Sequence, residues 1–324
     1  MILNFFKYLM SNLLKNKSMF YKLNLTIIAL CISFLVLAQP LRKSKIKQDT
    51  TSFKIQTNYL SNYVYNGRAD SLKTPYFYTN ATINFANGVY ASFSLNYLLT
   101  PGQNSYDYSE LDLGYNYSIG EKVTGEIYGS KYFYSSNSNL ISGNISSDIG
   151  FTYNYDFTYF NFHNSFDIFF TNKSDMLLVP GIEKEITLSA SNDNKLTFTP
   201  GIYSSFSSLN FYESTINRRL NGIRNSKIKQ PLTTGSIISN TTVDQNGFKF
   251  LDAEFSFPIS YDFNNWNISL VPTYAMPFNK ITTTSENTIT LNGISKTEKV
   301  NSTPYSENHL ANIFYFDLGI TYKF

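Results

Sequence analysis

The sequence predicts an all-β chain closed into an antiparallel, up-and-down transmembrane β-barrel of about twelve strands. Three observations carry the prediction. Apolar and polar residues alternate with period two within most of the strands placed from residue 52 onward, short and long connections alternate along the chain, and one apolar run near the amino terminus suits export. The final strand shows the alternation most plainly. Its even positions, Phe314, Phe316, Leu318, Ile320, Tyr322 and Phe324, are apolar or aromatic, whereas Tyr315, Asp317, Gly319, Thr321 and Lys323 are mostly polar or small. A strand sends successive side chains to opposite faces, so this segment is a ribbon with one apolar and one wet face.

The amino terminus reads as an export signal. Residues 23–37, LNLTIIALCISFLVL, form the long apolar run, with Lys22 before it and Ala38 after it. That layout predicts a signal peptide over residues 1–38 cut after Ala38, with translation starting at Met19. An uncleaved anchor is the alternative, for which the run is short. Leu30 before Cys31 argues against a lipoprotein cut, and residues 39–51 form a basic leader. Removal of the signal takes away the single cysteine, Cys31, and with it any disulfide framework or thiol chemistry.

From residue 52 onward the pattern places strands at about 52–65, 76–85, 89–98, 106–119, 123–134, 145–156, 159–170, 176–188, 195–206, 248–263, 266–276 and 313–324. Ala86-Asn87-Gly88 and Gly120-Glu121-Lys122 are tight turns, the first of an Asn-Gly type that tolerates positive φ. Connections after even-numbered strands are a few residues long. Those after odd-numbered strands are mostly longer, up to about 207–247 and 277–308. Short turns on one rim and long loops on the other match an outer-membrane barrel with its short side periplasmic. A soluble sandwich has no reason to segregate loop lengths in this way. Strands one and five alternate poorly, so the count could shift by two.

Parity separates two faces on the clearer strands. Leu111, Leu113, Tyr115, Tyr117 and Ile119 share one face, as do Ile145, Ile149, Phe151, Tyr153 and Tyr155, and Leu251, Ala253, Phe255, Phe257, Ile259 and Tyr261. Local alternation cannot tell a soluble core from a lipid-facing exterior. The export signal, the loop segregation and the terminal phenylalanine together select lipid. Closure is then obligatory, because an open edge leaves backbone groups unpaired in lipid. The last strand must therefore pair with the first, around residues 54–62.

With polar faces inward, the lumen collects Glu110, Asp112, Asp148, Asp156, Asp167, Glu183, Glu185, Asp252, Glu254, Asp262 and Asp317. Inward cations are few: Lys195 and Lys323 near the short rim, with Lys54 and Lys131. Two readings follow. The carboxylates either bond to the many lumenal Tyr, Ser and Asn and merely fill a small barrel, or they line an acidic channel that prefers cations. Twelve strands enclose room for a narrow pore, which an inward-folded loop would plug.

Other functions are poorly served by this chain. A net charge of +3 with no basic helix or stacking platform argues against nucleic acid. Past residue 38 no stretch nears the roughly 20 apolar residues of a spanning helix. Aromatics are 17% of the chain, with 26 Tyr and 28 Phe against one Trp, which suits strands and interfacial girdles. His163 and Ser165 sit two apart on a strand, the spacing of an outer-membrane phospholipase pair, but parity turns them into the lumen and away from lipid. With His309 as the other histidine, no metal cluster forms, and no cofactor is implied. The loop after strand nine carries a basic block, Arg218, Arg219, Arg224, Lys227 and Lys229, either a solvated loop or a contact for lipopolysaccharide.

The closing strand resembles that of Gram-negative outer-membrane barrels, whose assembly machinery reads such Phe-terminated strands. The segment Tyr63-Val64-Tyr65-Asn66-Gly67-Arg68-Ala69-Asp70-Ser71, with Thr74-Pro75-Tyr76, resembles the first loop of uncharacterised outer-membrane β-barrel proteins of Bacteroidetes-type bacteria, as do residues 252–258 and 272–277. The resemblance implies an outer-membrane location and no assigned activity. Gly67 allows an unusual backbone angle, and Arg68 is placed to pair with Asp70. The expected role is a passive channel or small-solute transporter, not an enzyme, with outer-membrane lipid, the assembly machinery and small solutes as partners. The alternative is a closed structural or surface-binding barrel working through its outer loops.

Overall fold

Alternation of this kind needs a neighbour on each side of every strand, and the structure supplies one throughout. It is a computed structural model that describes residues 50–69, 73–100, 103–135, 138, 145–171, 174–191, 194–208, 235–243, 248–279, 283–291, 294–302 and 310–324. The signal segment, Asp70, His309 and the basic block at Arg218, Arg219, Arg224, Lys227 and Lys229 lie outside the described residues.

Twelve antiparallel strands make the wall: β1 (Ser52–Leu60), β2 (Tyr76–Asn84), β3 (Val89–Thr100), β4 (Gln103–Ile119), β5 (Val123–Tyr134) and β6 (Ser147–Phe157). They continue as β7 (Phe160–Phe170), β8 (Ser174–Glu183 with Ile186–Ala190), β9 (Asn194–Phe198 with Gly201–Ser207), β10 (Lys249–Ser256 with Ile259–Phe263), β11 (Trp266–Pro277) and β12 (Ile313–Lys323). Each pairs with the next, and β12 pairs with both β11 and β1, so the ring closes. The seam runs from Lys54 opposite Lys323 to Leu60 opposite Asp317. Among the described residues there is no helix.

The interruptions in β9 and β10 follow from proline, which has no N–H to give a ladder. Pro200 and Pro258 end local pairing, yet Lys184 N donates to Pro200 O, Thr199 N to Pro258 O and Phe257 N to Pro272 O at 2.8–3.0 Å. The wall bends there without opening. On the short rim, Gly88 and Asn264 take the positive φ their turns demand, 92° and 49°. The other rim is more uneven than its expected loop lengths. Thr100 pairs directly with Gln103, so the ladder between β3 and β4 runs on where a longer loop was expected. Within the long connections a separate antiparallel sheet joins Gly235–Val243, Thr283–Leu291 and Ile294–Ser302.

Side-chain burial is inverted relative to a soluble fold. Leu113, Ile127, Ile149, Phe314 and Phe324 are all more than half exposed, at 55–67% together with Ile119. The buried apolar side chains among the described residues are Tyr76, Ile145, Phe169, Leu251 and Ala275, far fewer than the buried Ser, Thr, Asn and Asp. A water-soluble protein does not cover itself with a continuous apolar belt around a polar interior. Such a wall is stable against hydrocarbon, where every backbone group must be satisfied within the protein. Local alternation leaves that choice open; burial around the closed ring makes it.

Three inside–outside assignments are corrected. Lys131 lies on the outer face with Ile127 and Phe133, because the inward residues of β5 are the even ones from Thr124 to Tyr132. Ile145 precedes β6 and is buried. Leu251 is fully buried beside a register shift, where Ser205 pairs with Asp252 but Phe206 with Phe250. One extra residue in a strand breaks the two-residue period.

Candidate functional site: the barrel interior

Inward positions of neighbouring strands bring most of the predicted acidic residues together along one wall. On β4, Glu110 and Asp112 follow one another inward, and Asp112 lies opposite Ser130 of β5, itself opposite Asp148 of β6. Asp167 of β7 lies opposite Gly150. These four carboxylates and Glu126 of β5 border two cavities of about 440 and 370 Å³ that share Tyr90, Glu110, Asp112 and Glu126. Lys54 is the basic side chain in these linings among the described residues.

Tyrosine on glycine shapes the wall. The Tyr90 ring covers Gly114, Tyr128 covers Gly150 and Tyr203 covers Gly181, each so closely that a β carbon on the glycine would fall within 2.6 Å of the neighbouring side chains. Small inward residues thus let flat rings lie along the wall instead of filling the lumen. Their hydroxyls reach carboxylates: Tyr128 donates to Asp167, Tyr203 to Glu183, and Tyr90 to Glu126 at 3.1 Å.

The remaining predicted residues form separate groups. Asp317 accepts from Asn58 Nδ2 at 2.5 Å and from Tyr78 at 2.6 Å. Glu254 accepts from Tyr315 at 3.2 Å. His163 meets Asn154 Oδ1 at 2.5 Å and the edge of the Tyr203 ring, so it is held in a polar network. Glu185 pairs with Lys195 at 2.6 Å, both partly exposed, and Asn267 holds Asp262 at 2.9 Å. Asp156 stands opposite Asn161 next to a short-rim turn. The carboxylates therefore make one continuous wall on β4 to β7 and scattered bonded groups elsewhere, not a ring.

The first long connection folds back into the barrel mouth. Val64–Tyr65 and Arg68–Ala69 form a two-residue-per-side hairpin. Its turn, Asn66-Gly67, has φ of 50° and 72°, the signature of a tight hairpin turn. Gly67 packs on Asp252, whose Cβ lies 2.5 Å from where a Gly67 β carbon would be. Arg68, 5% exposed, donates to the carbonyls of Asn66, Phe278 and Asn279 at 2.9 Å and of Leu251 at 3.4 Å. Its expected partner Asp70 lies outside the described residues, and the anchorage seen is to main-chain carbonyls of β10 and the end of β11. Leu60 and Tyr63, which lead into this hairpin, close one side of the larger cavity.

No family model matches the chain, and no curated protein matches its sequence. Solved structures of similar form include the KdgM porin, 11% identical, TM-score 0.42, with 84% of this chain and 99% of that one covered. The NanC porin is likewise 11% identical, TM-score 0.40, with 84% and 100% covered. Closure of the barrel stands on its own strand pairing.

Three acidic residues escape the alternation. Glu126 belongs to β5, whose outward positions include Gly125, Gly129 and Lys131, so no apolar stripe marks its faces. Counting back from Ile127 and Phe133 recovers it. Asp107 lies on the apolar parity of β4, but a register shift pairs Asn96 with Tyr108 and Tyr97 with Tyr106, and Asp107 is buried as acceptor for the Tyr76 hydroxyl. Asp175, placed by sequence in a loop, opens β8 fully buried and accepts from Ser208 at 2.7 Å. Among the described residues no group of three His, Cys, Asp or Glu is arranged to hold a metal ion.

Proposed function

We propose that this chain is an outer-membrane channel for small solutes whose interior favours cations. One observation carries the reading: five carboxylates, Glu110, Asp112, Glu126, Asp148 and Asp167, stand along internal cavities whose basic side chain, among the described residues, is Lys54. Carboxylates lining a narrow lumen lower the energy of a passing cation and raise that of an anion. Outer-membrane placement is supported by the predicted signal segment and by the closed wall with its outward apolar face, and a barrel assembly machinery is the partner such a wall would need. The basic block Arg218, Arg219, Arg224, Lys227 and Lys229 is proposed as a lipopolysaccharide contact. The resemblance of the first loop to the Bacteroidetes-type group is part of the same proposal, as is the absence of enzymatic activity.

Reconstitution into planar bilayers under a potassium chloride gradient tests it. The expected reversal potential has the sign of cation preference, and Glu110→Gln with Asp112→Asn moves it toward zero. Anion preference overturns the cation reading. A second reading, a closed barrel acting through its outer loops, is favoured by the Arg68-anchored hairpin in the mouth, and a wild-type barrel that folds but passes no current would establish it.

A further inference from the structure

We infer that the two neighbouring cavities beside β4 are a binding site for a small organic cation that carries an ammonium group and at least one hydroxyl or carbonyl acceptor. The inference rests on the channel reading for its biological setting, and it names what that interior selects. Five carboxylates border these cavities, spread over four strands, and offer no metal-binding group among the described residues. A spread-out negative wall suits a charge on an extended molecule better than a bare ion.

A second, independent observation points to the rest of the ligand. Asn96 lines the larger cavity and is 5% exposed, and its Nδ2 donor has no hydrogen-bond acceptor in the protein. Asn96 lies opposite Tyr108, one inward step from the pair Ser94 and Glu110. A buried amide donor left without an acceptor is costly, and a ligand oxygen is the group it lacks. Further along the wall, Oδ1 of Asp112 in the same cavity and of Asp148 in the second cavity also lack partners. One donor awaiting an oxygen, one inward step from the Glu110 carboxylate, describes an amino-alcohol or amino-sugar more closely than a neutral sugar or a simple salt. Tyr90 and Tyr108 border the same space, and aromatic rings suit an ammonium group. About 440 Å³ is within the usual range for a site that encloses a small molecule.

The test uses the full folded chain and three probes of similar size: glucosamine at a pH where it is charged, glucose, and N-acetylglucosamine. Glucosamine is expected to block potassium current through the reconstituted barrel at concentrations about tenfold below either neutral sugar, the scale of one charge-assisted hydrogen bond. Asp112→Asn and Asn96→Ala each raise the half-blocking concentration several-fold, with heat-modifiable gel mobility confirming that the variants are closed barrels. Equal block by glucose, or no block by glucosamine in a cation-preferring channel, overturns the inference and leaves the channel reading intact. If the wild type passes no current, the channel reading fails by itself. Calorimetric titration of the detergent-held barrel with the same probes then decides the inference: heat from glucosamine alone supports it, and no heat or equal heats refute it.

Discussion

Gly67 can hold its place only without a side chain, and Arg68 only with a long charged one. A Gly67→Ala β carbon would lie 2.5 Å from Asp252 Cβ, on a backbone at φ 72° that L residues avoid. The expected outcome is a hairpin expelled from the wall: limited proteolysis of the folded barrel gains a cut between residues 61 and 75, and single-channel conductance rises. Arg68→Met removes hydrogen bonds from a buried charged donor, worth about 2 kcal/mol for docking the hairpin, and should give the same cut with the Asn66-Gly67 turn intact. An unchanged digest in both variants would show that the hairpin is not held by these contacts. Sequence singles out both residues, because Asn-Gly is a turn signal at any distance. It does not reach the carbonyls that Arg68 binds, since that of Phe278 is 210 residues away and main-chain acceptors have no residue identity to read.

At the scale of the strand, parity is legible wherever outward positions are large. β12 keeps strict parity, and Phe314, Leu318 and Ile320 are exposed as expected. Placing a cation on that face near mid-membrane costs about 2–4 kcal/mol. Leu318→Lys should therefore lower the urea midpoint of unfolding from vesicles far more than Lys131→Leu, a change on the same face that removes a charge and should leave the midpoint level or raised. Equal losses would mean that these faces do not meet lipid. Parity fails for stated reasons elsewhere. β5 puts glycines outward, which hides Glu126, and single extra residues bring Asp107 inward and leave Leu251 buried. A bulge is set by the register of two strands, and no one strand carries its mark. The acidic wall is thus readable on β4, β6 and β7, but its continuity through Glu126 is not.

For the molecule as a whole, the decisive structural fact is the seam. Thr57 lies opposite Ile320 across it, and paired residues in antiparallel strands are close enough for a disulfide. In a Cys31→Ser background, Thr57→Cys with Ile320→Cys should cross-link on oxidation and make the barrel resist unfolding in hot detergent, read as a fixed gel mobility. No cross-link in the folded protein would exclude this closure. Sequence argument reaches the seam without seeing it, because a wall in hydrocarbon tolerates no edge. It does not reach the position of the first hairpin inside the mouth, which depends on contacts with β10 and β11.

That seam also fixes an order of events. Asn58 and Asp317, bonded across it, are 259 residues apart in sequence, so the strand made first waits for the strand made last. Contacts between such distant parts of a chain form late and slowly. Until Ile313–Lys323 arrives, β1 and β11 are both bare edges, and a chain cut short before β12 carries two of them. Closure is then a clock as well as a shape: the barrel is sealed in one late step that no fragment can take.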